Sequence, residues 1–274
     1  MLTRIISAAV GICIMVVIFI FHDTVLLPIS VALIIAVMLY ELLRAIKCNK
    51  HYPILASVLL YGIFVPLMYN TSFEKYDICV KIAAVFVIFI TFIVKHDEIK
   101  YEQITFSLAV MLLVPAAMTT MVKIDRFNEH HGLIFLILGL CGAWIADSGA
   151  YFVGTFCGKH KLCPKISPKK TIEGFFGGVV ITGLIFVAIC IVYEKCITDN
   201  PIKINYVLIA VAGMVCAVIG TVGDLSASLI KRQCNIKDYG NIMPGHGGLM
   251  DRFDSVLFVL PTFYAFISLA GIYK

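Results

Sequence analysis

The run NYVLIAVAGMVCAVIGTVGDLSASLI, residues 205–230, decides the fold. Across 26 residues it carries a single acidic or basic side chain, Asp224. About 20 such residues, wound as a helix, cross the hydrocarbon core of a bilayer. A helix is the default there because it satisfies its own backbone hydrogen bonds in lipid. The run then gives way to KRQCNIKDYGNIMPGHGGLMDRFDS, residues 231–255, which crowds Lys231, Arg232, Lys237, Asp238, His246, Asp251, Arg252 and Asp254 into one short loop.

The rest of the chain repeats the first pattern. Of 274 residues, 61% are hydrophobic and 14% charged, where a soluble domain of this length carries about 25% charged residues. Mean hydropathy is +0.98. Apolar segments stand near 5–21, 25–43, 53–69, 78–94, 104–122, 132–154, 174–193, 205–230 and 255–272. The first follows Arg4 in the manner of a signal peptide, but no small-x-small cleavage site follows it, so it counts as a span. The expected fold is an all-α integral membrane protein, a polytopic bundle of about nine transmembrane helices. Residues 1–130 are expected to form scaffold and lipid-facing wall. Residues 131–274 are expected to carry the catalytic region and both basic loops.

Nine spans place 15 of the basic residues on the N-terminal side and 7 on the other, which makes the first side cytoplasmic by the positive-inside rule. Without the loops 159–170 and 231–252 the count is 6 against 7, so topology and anion binding are not independent readings. Both loops still fall on one side. The ten cysteines are scattered and free of CxxC pairs. Cys157, His160 and Cys163 lack the fourth ligand and the spacing of a zinc site, so free thiols are expected.

Ionisable residues inside spans are functional candidates because lipid makes them costly. Asp147 lies in CGAWIADSGAYFVG, residues 141–154, and Asp224 in VIGTVGDLSASLIKR, residues 218–232. Glu41 and Lys81 lie near span ends, where snorkelling is the simpler reading. Asp224, Ser228 and Lys231 share one helix face. Asp251 and Asp254 fall on the first turn of the last span, where capping suits Asp254. Asp251 follows the PGHGG turn, whose Gly245, Gly247 and Gly248 allow a ligand to approach the backbone. Carboxylates, phosphate-binding cations and a glycine turn together read as Mg²⁺-phosphate chemistry at a membrane surface. A polybasic face for anionic headgroups would explain the lysines but not the interleaved aspartates.

The second basic loop, GTFCGKHKLCPKISPKKTIEGFFGG, spans residues 154–178. It fails the spacing of a phosphate-binding P-loop. Ser167 to Thr171 is expected to place Lys169 and Lys170 over a polyphosphate and then cap the next helix. The Gly154/Gly158 and Gly174/Gly178 spacings predict close helix packing.

The series Ser228, Lys231, Arg232, Lys237, Asp238, Gly240, Pro244, His246, Gly247, Gly248, Asp251, Arg252 and Asp254 resembles the signature of phosphatidate cytidylyltransferases, the CDP-diacylglycerol synthases. Met243 stands where that family usually has Leu, Ile or Phe. The segment Trp144 to Gly178 also looks like this family, so the resemblance covers about residues 140–272. It implies that CTP and phosphatidic acid yield CDP-diacylglycerol and pyrophosphate with Mg²⁺, near the cytosolic face of a helical membrane protein.

The mechanism expected has no protein nucleophile. Asp224 and Asp251 are expected to ligate the metal, with Asp147 as a further ligand or a support behind one; a second cation is left open. Lys231, Arg232 and Lys237 are expected to hold phosphates, with Arg252 and Asp238 beside them, Ser228 completing the shell, and Lys169 and Lys170 gripping CTP. His246 is read as a phosphate donor or a structural residue of the turn, with an acid role as the third option. Membrane lipids are the surroundings, a bacterial-type cytoplasmic membrane the expected location, a homodimer is left open, and no nucleic-acid partner is expected. A CTP-using polyprenol kinase would release CDP instead of pyrophosphate. A transporter of anionic solutes would show inverted repeats and midplane charges, and this sequence shows neither.

Overall fold

The structure, a computed structural model, describes residues 2–198, 202–245 and 247–273. Its helices are α1 (Leu2–Ile20), α2 (Leu26–Ala45), α3 (Tyr52–Met68), α4 (Asp77–Val94), α5 (Tyr101–Met118) and α6 (Thr120–Asp125). They continue with α7 (Gly132–Cys157), α8 (Ile172–Val192), α9 (Tyr206–Gln233), α10 (Met250–Phe253) and α11 (Val256–Leu269). Among the described residues, seven helical stretches are long and apolar enough to cross a membrane, and Ile6–Ile20 and Tyr52–Met68 are shorter apolar helices. The architecture is all-α and multi-pass. Each expected span is found as a helix, two of them short.

The second basic loop, read as residues 154–178, is shorter in the structure and contains a hairpin, because its ends belong to α7 and α8. Strand β1 (Lys161–Cys163) pairs antiparallel with β2 (Ser167–Thr171), with Lys161 opposite Thr171 and Cys163 opposite Ser167. The strands are too short and too charged to show a clear alternation, which hid them from the sequence. Thr171 ends β2 and caps α8, its hydroxyl accepting the Gly174 amide at 3.2 Å, as expected.

The chain forms two compact units, Met1–Val122 with Gln233–Arg252, and Lys123–Arg232 with Phe253–Lys274. In the first, α2 buries Leu27, Val31, Ile35, Met38, Leu39 and Leu42 along one stripe. Gly62 of α3 leaves no room for a side chain beside Leu39 and Ile35, so α2 and α3 lie in close contact. Most of α4 is exposed, with Phe86, Ile90 and Ile93 facing outward, as suits a lipid-facing helix.

In the second unit, small residues set the packing. A Cβ on Gly178 of α8 would stand 2.7 Å from the Ala146 carbonyl oxygen of α7, and one on Gly174 would stand 2.5 Å from that of Ala150. The glycine spacings therefore bring two backbones together, as small-residue stripes do in membranes. Phe186 of α8 is fully buried; a Cβ on Gly142 of α7 or Gly213 of α9 would strike its ring. It meets Phe263 of α11 edge to face, with centroids 5.6 Å apart.

Candidate active site

Three elements of the second unit bring acidic and basic groups together. Asp147 comes from α7, Lys170 from β2, and Asp224, Ser228 and Lys231 from α9. The Lys170 ammonium lies 2.6 Å from Asp224 Oδ2 and 3.7 Å from Asp147 Oδ1. Asp254, which is buried, faces the charges of Asp224, Lys231 and Asp147. It accepts the Ser255 amide at 2.7 Å, and no side chain caps α11. Asp254 is thus more than a helix cap; it belongs to the carboxylate cluster. Gly223 permits this, because any side chain there would strike the Asp254 carbonyl and the Phe258 ring. Three carboxylates gathered in one place, one of them buried, call for cations, and Lys170 and Lys231 supply them. Ser228 is half-buried, and Arg232 and Lys169 are exposed.

On the hairpin's other side, Glu173 accepts from the His160 backbone amide at 3.2 Å and contacts the His160 ring at 2.6 Å. Cys157, His160 and Cys163 form no metal site, and among the described residues no three His, Cys, Asp or Glu side chains are arranged to hold a metal ion. For Mg²⁺ the donor chemistry of Asp147 and Asp224 fits, two hard oxygen ligands that one cation already bridges. That cation is the lysine.

The charged loop 233–250 belongs to the first unit. Lys237, Asp238, Asn241, Met243, Pro244, Gly245, Gly247 and Arg252 line one cavity of about 620 Å³. Gly245 and Gly247 take φ of +80° and +85°, values that an L side chain resists. The turn closes where the Met243 amide donates to the Gly247 carbonyl at 3.0 Å. His246 lies outside the described residues.

Two carboxylates hold this loop by its backbone. Asp251 Oδ2 accepts the amides of Tyr239 at 2.8 Å and Gly248 at 3.0 Å. Glu41 of α2 accepts Leu249 at 3.1 Å and Met250 at 2.8 Å. Glu41 is 1% exposed, so it does not snorkel; it faces inward because four-carbon reach belongs to lysine, and backbone amides lie at hand. A side chain on Gly240 or Gly248 would collide with the Glu41 carboxylate. Those two glycines are therefore required for space, whereas Gly245 and Gly247 are required for conformation. Ser7 of α1 adds a bond to the Pro244 carbonyl at 3.2 Å. The signal that could have marked Glu41 was present, an acidic residue inside an apolar run, but its place near the run's end favoured the blander reading.

A sequence profile described as the cytidylyltransferase family matches residues 2–270. The chain is similar to a phosphatidate cytidylyltransferase of Bacillus subtilis (strain 168), 34% identical over 239 residues, 85% of this chain and 86% of the relative. It is also similar to proteins of that name from Staphylococcus epidermidis (strain ATCC 12228 / FDA PCI 1200) and Staphylococcus aureus (strain COL). Each of those is 41% identical over 134 residues, 49% of either chain. The profile reaches back through α1 to α5, so the likeness extends well beyond the charged loop. The chain belongs to the cytidylyltransferase family.

Proposed function

We infer that the chain is an enzyme that transfers CMP from CTP to phosphatidic acid, giving CDP-diacylglycerol and pyrophosphate in phospholipid biosynthesis. The observation that carries this is the likeness to the Bacillus subtilis phosphatidate cytidylyltransferase across 85% of the chain. The geometry within each unit supports it, since both substrates are phosphates: the second unit gathers cations and carboxylates, and the first lines a cavity with Lys237, Arg252 and a glycine turn.

A phosphate oxygen of phosphatidic acid forms the new bond to the α-phosphorus of CTP. The bond from that phosphorus to the bridging oxygen of the pyrophosphoryl group breaks, and pyrophosphate leaves with the electron pair. No covalent enzyme intermediate is needed, so catalysis is alignment and charge neutralisation. Lys237 and Arg252 line the loop cavity and hold phosphate oxygens there. Lys231, Arg232 and Ser228 do so from the end of α9, and Lys169 from the hairpin. Asp147 and Asp224 are proposed to hold Mg²⁺ as a pair, and Asp251, which fixes the loop, is proposed as a Mg²⁺ ligand there. Bound Mg²⁺ would neutralise phosphate charge and ease pyrophosphate departure. The hairpin and the charged loop face the cytoplasm of a bacterial-type membrane, where CTP is found.

The test is pyrophosphate release by the purified protein in detergent micelles with CTP, phosphatidic acid and Mg²⁺. Release that requires all three supports the reading. Release of CDP in its place would assign the chain to lipid phosphorylation, and no turnover by folded protein would remove the activity altogether.

A further inference from the structure

The position of Lys170 is odd for a residue whose task is to hold a nucleotide. Its ammonium points not outward into open solvent but onto Asp224 at 2.6 Å, with Asp147 at 3.7 Å. The two carboxylates come from α7 and α9, and the cation comes from neither helix but from the hairpin strand β2. Two like charges drawn to one cation repel each other, and water screens Asp224, 23% exposed, less than Asp147. Something positive must stand between them, and here the chain provides it on a flexible four-carbon stem. A divalent cation bound by the same pair would need the same space.

We propose that Lys170 is an exchangeable counter-cation: it neutralises Asp147 and Asp224 before a divalent cation arrives, and that cation displaces it. The inference rests on the proposed function, because it assigns the carboxylate pair to a phosphate-bound divalent cation. The hairpin suits the task. It is a two-stranded sheet of three and five residues, and so small a sheet is marginal alone. Thr171, its last residue, stays in place as the cap of α8, so displacement needs only the Lys170 side chain to swing on its own stem. Once displaced, the Lys170 charge is released beside the incoming phosphates, so cation binding and anion binding reinforce each other.

The experiment is Mn²⁺ binding, read by the paramagnetic resonance signal of free Mn²⁺, without nucleotide or lipid. Wild type is compared with Lys170→Met and Lys170→Arg in detergent. Removing the competitor should tighten Mn²⁺ binding by at least about tenfold. Adding Asp224→Asn to Lys170→Met should abolish that gain, which ties it to this pair. Unchanged, weaker or undetectable Mn²⁺ binding by folded Lys170→Met protein overturns the proposal. Should Lys170→Met fail to fold, Lys170→Arg decides: its guanidinium grips carboxylates more firmly, so Mn²⁺ should bind more weakly than to wild type, and equal or tighter binding overturns the idea. Pyrophosphate release by wild type, followed in parallel, tests the activity separately. Its failure would leave the Mn²⁺ comparison readable.

Discussion

Glu41 Oε2 accepts the backbone amide of Met250 at 2.8 Å, a bond that joins the second helix to a turn 209 residues later. With the Leu249 amide on Oε1 at 3.1 Å, both oxygens of a buried carboxylate are engaged. A buried charge without partners is costly; two amide donors offset that cost and at the same time fix the start of α10. The charged loop is thus positioned by a helix that the sequence assigns to scaffold.

Glu41→Gln is therefore expected to impair catalysis. Glutamine offers one acceptor oxygen, and its NH₂ group would face an amide N–H that needs an acceptor. Loss of a charged hydrogen bond costs about 1.5–3 kcal/mol, so pyrophosphate release should fall by about 10- to 100-fold, with helical circular dichroism unchanged. Activity within twofold of wild type would show that the loop holds its shape without Glu41.

Gly240→Ala should act on the same contact from the other side, because the new methyl group would overlap the Glu41 carboxylate. Gly247→Ala meets a different obstacle, a left-handed backbone that costs an L residue about 1–2 kcal/mol. Both variants should loosen the loop, and the readout is faster tryptic cleavage after Lys237 and Arg252, which are exposed. Cleavage at the wild-type rate in Gly240→Ala would mean that the carboxylate yields easily.

Much of this was legible in sequence for a physical reason. A span advertises itself by length and hydropathy alone, so each of the nine expected segments is found as a helix. The glycine spacing of 154 to 178 likewise announced close packing of α7 and α8. Asp147 and Asp224 stood out because lipid makes charge conspicuous. What stayed hidden depends on tertiary placement. Asp254 looks like a cap until α9 is seen beside it, and Glu41 acquires its partners only when a distant loop folds onto it. The hairpin escaped because strands of three and five lysine-rich residues carry no periodic signal.

Gly178→Leu tests the helix packing without touching charge. Its Cβ would already stand 2.7 Å from the Ala146 carbonyl, and the rest of the side chain has no space between the backbones. Overpacking of this kind costs about 1–3 kcal/mol, so the thermal unfolding midpoint in detergent should drop by about 5 °C. Turnover at low temperature should survive in the fraction that remains folded. An unchanged midpoint would mean that α7 and α8 are not held at this contact.

The carboxylates of the second unit should differ in weight. Asp224 is 23% exposed and pairs with Lys170 at 2.6 Å, whereas Asp147 is 49% exposed and lies 3.7 Å from it. A ligand screened by water contributes less than one held away from it. Chelation of divalent cations should abolish pyrophosphate release, and added Mg²⁺ should restore it. Asp224→Asn should lower turnover by about 100-fold or more, a loss of roughly 3 kcal/mol of transition-state stabilisation. Asp147→Asn should cost about tenfold and recover in part as Mg²⁺ is raised, because a weakened site refills by mass action. A Mg²⁺ titration of the three proteins checks the order. If Asp147→Asn proves the more damaging, or if Asp224→Asn recovers fully at high Mg²⁺, the cation is not held chiefly by Asp224.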